Sequence, residues 1–203
     1  MSHRPFTLSI LALASLLLPE FAVQAVADLG LESKCPLADP LKAKVDERPV
    51  GTWRTNMKGK TYYLHAGAGN IVGKSNWMEL VLVHPGKKPS FYLHHKIGFA
   101  STIGDQGFFN IANMSVPVTQ LRGSKPEELI SAVGRYDIFK YDVTEEYLDV
   151  WSADKKFLRE AIKTGKIKGR DATIEDTQEN LIKFIESSAE KLWGKKIRYT
   201  PVK

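Results

Sequence analysis

Four histidines fall where they could act together. His65, His84, His94 and His95 lie in or beside runs that read as neighbouring β-strands, and imidazole is both a metal ligand and a base near neutral pH. Adjacent residues of a strand point to opposite faces, so His94 and His95 cannot serve one site together. The chain has no histidine pair at i, i+4 and a single cysteine, Cys35, whereas zinc wants three or four converging ligands. No metal or other cofactor is therefore expected. Ser101, Ser115 and Ser131 lack a Gly-x-Ser-x-Gly setting, and no catalytic residue is assigned. The glycines of Gly67-Ala68-Gly69 and Gly73-Lys74-Ser75 lack the interval of a phosphate loop and a strand-to-helix position, so they read as a plain loop. Glu145, Glu146 and Asp149 sit at a turn. Trp53, Trp77, Trp151, Trp193, Tyr62 and Tyr63 could stack on a ligand, yet core packing explains most of them.

The elements that must position these groups are short apolar runs separated by turns. Strands are expected near Gly51–Asn56, Lys60–His65, Trp77–His84, Ser90–Phe99, Gly107–Ala112, Arg135–Val143 and Tyr147–Trp151, with a last one at Ile197–Thr200. Two hairpins are clearest, one turning at Pro85-Gly86-Lys87-Lys88 and one at Thr144-Glu145-Glu146. In the run from Ser90, a period of two puts Phe91, Leu93, His95, Ile97 and Phe99 on one face and Tyr92, His94 and Lys96 on the other. The first set, being the more apolar, is expected to face the core. Helical spacing appears at Ala153–Lys163, ended by Gly165, and again after Thr173-Ile174-Glu175-Asp176, read as a capping box, through Leu192 to Gly194. The fold class is thus mainly β: about eight antiparallel strands, the number at which an up-and-down barrel closes, with two helices near the C-terminus.

Before the strands lie two other segments. Arg4, the apolar run Phe6–Leu18, the interruption at Pro19-Glu20 and the small-residue pattern Ala25-Val26-Ala27 describe a signal peptide over residues 1–27. The run is shorter than the roughly 20 apolar residues of a spanning helix. Export to the periplasm or the extracellular space is expected. Residues 28–49 have no clear period and read as an N-terminal arm lying over the outside, with residues 50–203 as the barrel domain. One cysteine forms no internal disulfide, so the core alone must hold the fold, while a dimer bridged through Cys35 stays open. The formal net charge is +6, and much of the lysine flanks glycine in turns such as Lys58-Gly59-Lys60 and Gly194-Lys195-Lys196. Such turns either solubilise the ends or meet an anionic surface; export argues against nucleic acid.

Two segments carry a resemblance. Pro49-Val50-Gly51-Thr52-Trp53 resembles the Gly-x-Trp signature that starts the first strand of lipocalins, where the indole closes one barrel end. Tyr141 to Gly169, YDVTEEYLDVWSADKKFLREAIKTGKIKG, resembles a block of small secreted bacterial lipocalin-like proteins of uncharacterised function, and Thr173 to Tyr199 resembles their ending. The arm from Asp28 to Pro49 has no counterpart in that pattern. The resemblance implies a calycin-type barrel and no activity. A barrel mouth is a common place for a small ligand. The expected function is therefore an exported barrel that binds a small apolar or amphipathic molecule, with Phe91, His95 and Phe99 as ligand-binding residues and Tyr63 stacking across the barrel. Two alternatives remain: an envelope-associated protein with a closed interior and basic turns that meet an anionic surface, and a hydrolase whose nucleophile the sequence does not reveal.

Overall fold

In the computed structural model, which describes residues 30–43, 46–68, 77–86, 90–121 and 123–203, eight antiparallel strands close into an up-and-down barrel. The expected signal peptide lies outside the described residues. The barrel strands are β2 (Gly51–Met57), β3 (Lys60–Ala68), β4 (Met78–Pro85), β5 (Phe91–Ile103), β6 (Gln106–Met114), β7 (Val133–Val143), β8 (Leu148–Ala153) and β11 (Trp193–Pro201). Each pairs with the next, and β11 returns to β2 through Thr200 opposite Arg54 and Pro201 opposite Trp53. All eight expected strands are present, and the Lys58-Gly59 hairpin takes the left-handed conformation that so short a turn demands, with φ of 52° and 72°.

The remaining elements cover one side of the barrel. They are β1 (Leu31–Ser33), a short 3-10 helix (Val118–Leu121), α1 (Pro126–Ala132), α2 (Lys155–Lys163), β9 (Gly169–Arg170), β10 (Thr173–Ile174) and α3 (Gln178–Leu192). Asp154 caps α2 by accepting from the backbone N–H of Lys156 and Phe157. Thr177, not Thr173, caps α3: its side chain accepts from the Asn180 N–H. Thr173 and Ile174 instead form a strand, because β1 supplies a parallel partner, Glu32 opposite Thr173, from far away in sequence. The acid read as part of a capping box, Asp176, accepts from the Lys168 N–H and the Asn180 side chain. Helix α1 has no counterpart in the sequence reading. It starts at Pro126, with the Glu128 carboxylate accepting from the Lys125 N–H.

The arm is part of the wall. β7 pairs with β8 only from Lys140 to Val143, and above that β1 takes the vacant edge of β7, Leu31 opposite Ile138 and Ser33 opposite Tyr136. Farther along the arm, the Tyr141 hydroxyl donates to Asp46, whose carboxylate Arg48 also grips at 2.6 Å. Two apolar cores result. One lies inside the barrel, with Trp53, Met78, Leu80, Phe109, Tyr141 and Leu148 among its buried members. The other lies outside it, where Phe99, Phe108 and Ile138 of β5–β7 meet Leu31 and Leu37 of the arm, Leu158 of α2 and Leu181 and Ile185 of α3.

These two cores decide which face of β5 is which, and the outcome reverses the expectation. The alternation is as predicted, but Phe91, His95 and Phe99 point out of the barrel, and Tyr92, His94 and Lys96 point into it. Both faces of β5 are covered only beyond Lys96. There Ile97 and Phe99 are buried under the outer layer while Ala100 is buried inside. Ahead of that point the outer face is bare, and Phe91 is 73% exposed. The greater apolarity of the outward set belongs to the outer core at one end of the strand and to solvent-facing wall at the other.

Candidate functional site: the barrel cavity

Inside the barrel is a half-open cavity of about 100 Å³. Leu64, Leu80, Leu82, Phe109, Ile111 and Phe139 supply its apolar walls, and His94, Lys96 and Asp137 its polar side. The register explains the convergence. Leu64, Leu82 and His94 stand opposite one another across β3, β4 and β5, while Leu80 faces Lys96, and Ile111 faces Asp137. Toward the far end Trp53 is buried in the barrel core, and its indole Nε1 donates to the Pro49 carbonyl at 2.9 Å.

At the near end His84, only 2% exposed, lies in an aromatic stack. Its ring is 5.0 Å from Tyr92, 6.0 Å from Tyr62 and 5.2 Å from His94, all within 30° of parallel. The two imidazoles share a hydrogen bond, Nε2 to Nε2 at 3.1 Å, and His84 Nδ1 lies 3.3 Å from the Pro85 carbonyl. The hydrogen-bond pattern assigns the tautomers. His84 donates from Nδ1 to the carbonyl and accepts at Nε2 from His94. A further proton fits on His94 Nδ1 without breaking this arrangement. Burial holds the His94 pKa below its ordinary value, with the nearby His84 and Lys96 adding to the effect.

Deeper in, Lys96 Nζ donates to Asn113 Oδ1 at 3.2 Å, and Asn113 Nδ2 donates to Asp137 Oδ2 at 2.7 Å. Burial pushes the Asp137 carboxyl upward against the opposing pull of that amide, and Glu32 on β1 pushes it the same way. Glu32 is itself held by Lys155 at 3.5 Å, Arg135 at 3.4 Å and the Thr173 hydroxyl at 3.0 Å. The cavity therefore presents an apolar pocket with a hydrogen-bonding edge of one lysine, one histidine and one amide-bonded carboxyl. It can hold an apolar group and meet a polar atom attached to it.

The four residues singled out from sequence lie elsewhere. Phe91 and Tyr63 are on the bare outer wall. His95 is also outside, with its Nε2 3.0 Å from Glu79. Phe99 is 1% exposed in the outer core, edge-on to Trp77 and Tyr136. None of them lines the cavity. The residues that do, His94 and Lys96, carried a signal in their alternation with Tyr92. It was outweighed by the apolarity of the opposite face. Among the described residues no three His, Cys, Asp or Glu side chains converge to hold a metal ion. None of the described helices is long and apolar enough to cross a membrane. No family model, curated protein or solved structure matches the chain.

Proposed function

We propose that this chain is an exported, lipocalin-like carrier that binds a small apolar or amphipathic molecule inside its barrel. The observation that carries the reading is the cavity itself: apolar on most of its surface, edged on one side by His94, Lys96 and Asp137. Ligand sites in proteins commonly combine mostly apolar walls with a few polar groups that fix orientation. The free volume is well below the roughly 300 Å³ at which drug-sized ligands begin, so the bound part is a short alkyl chain or a single ring. The up-and-down strand order and the place of Trp53 support the lipocalin-like reading. The apolar run Phe6–Leu18 followed by Ala25-Val26-Ala27 supports export.

Native mass spectrometry on the protein purified without added ligand is the first test, followed by titration with straight-chain alcohols from butanol to octanol. Affinity should rise about fourfold per methylene until the cavity is full. Leu82→Trp, which puts an indole into the cavity, should abolish that dependence while the protein unfolds cooperatively. A bare mass together with flat chain-length dependence would refute the carrier reading.

A further inference from the structure

The helices and the arm leave part of the barrel uncovered. Across its bare outer wall the register lines up Arg54, Tyr63, Val83 and Leu93, one from each of β2 to β5, with Pro85 and Phe91 paired beside them. Phe91 is 73%, Leu93 64% and Tyr63 41% exposed. Apolar side chains this exposed and this close together call for an occupant. The same barrel end carries the exposed turn with Lys58 and Lys60. Among the described outward-facing residues of β2 to β5, the one carboxylate is Glu79, and it is bonded to His95.

From this wall we infer a docking surface for an anionic lipid bilayer, with Phe91 and Leu93 entering the interfacial layer and Arg54, Lys58 and Lys60 facing the head groups. The charge pattern selects this occupant. A second copy of the chain would bring the same basic wall against itself without acids to meet it. An anionic head-group layer complements it, and the layer accepts side chains that protrude from a convex surface. Tyr63 and Arg54 suit the boundary, since each has an apolar body and a polar end. The surface lies outside the barrel and does not depend on the cavity being occupied, so the alcohol titration and the vesicle assay read different sites and either can fail alone.

The test is co-sedimentation of the full chain with vesicles of phosphatidylcholine, with and without phosphatidylglycerol. Binding should require phosphatidylglycerol and should weaken steeply as ionic strength rises. Phe91→Ser with Leu93→Ser should lower the partition coefficient by about tenfold or more, because two apolar side chains no longer enter the layer. Both residues are exposed, so the unfolding midpoint of that variant should stay in place. Lys58→Glu with Lys60→Glu should weaken binding independently. Equal binding to the two vesicle types, or binding untouched by the Phe91 and Leu93 changes, would overturn the proposal. So would a dimer in analytical ultracentrifugation that the same serine variant dissociates, since the wall would then belong to a second copy.

Discussion

His94 shows how a single side chain reports its surroundings. It points into the barrel, donates to His84 and lies near Lys96, and its neutral form is favoured there by burial first and by those neighbours second. The sign of the resulting pH dependence follows. Above the ordinary histidine value of about 6.5, folded and unfolded chains both carry it neutral, and its contribution to stability is complete. As pH falls through that value the unfolded chain takes up a proton that the folded one resists, so stability drops until the lower folded pKa is reached. His94→Phe keeps a ring in the stack and removes the titration. Thermal unfolding between about pH 7 and pH 5 should therefore fall less steeply in the variant than in the wild type. Equal slopes would mean that the imidazole is solvated as in the unfolded chain. Sequence alone determined that His94 and His95 part company, because strand alternation requires it. It could not say which of them faces inward, since that depends on what covers each side of β5.

At the scale of elements, the barrel strands and their hairpin partners were legible and the pairing of the arm was not. Alternating apolar residues and glycine or proline turns mark each barrel strand locally, and hairpin neighbours follow from short connections. β1 is different: three residues in an arm without periodicity become a strand because β7 has an edge left open where β8 pulls away. Leu31, with no exposed surface, is buried in the outer core by that pairing. Leu31→Ala should cost about 2–5 kcal/mol, as for other fully buried leucines, measured as a shift of the denaturant midpoint by tryptophan fluorescence. An unchanged midpoint would mean that the arm is an appendage. The shift of the α3 cap from Thr173 to Thr177 has the same origin: the earlier threonine is claimed by the sheet through Glu32.

For the molecule as a whole, closure is the feature that makes an interior. Its seam is narrow: Thr200 opposite Arg54, Pro201 opposite Trp53, and the Val202 N–H donating to the Thr52 carbonyl at 2.8 Å. A chain ending after Tyr199 loses all three contacts and leaves an edge of β2 unpaired. It should unfold at lower denaturant and aggregate as exposed edges do, which light scattering during refolding would detect. A midpoint equal to that of the full chain would show that the barrel holds without its seam. The amino-acid sequence by itself determined the eight strands, the two longer helices and the mainly β class, because those rest on periodicity, turn residues and caps that act over a few positions. Only the tertiary structure decided the cavity-lining set of His94, Lys96 and Asp137, the burial of Phe99 outside the barrel, the bare wall at Phe91 and the arm's place in the sheet. Each depends on which surface a distant segment covers, and a strand that is apolar on one face does not record whether that face looks into a barrel, onto a helix or out of the molecule.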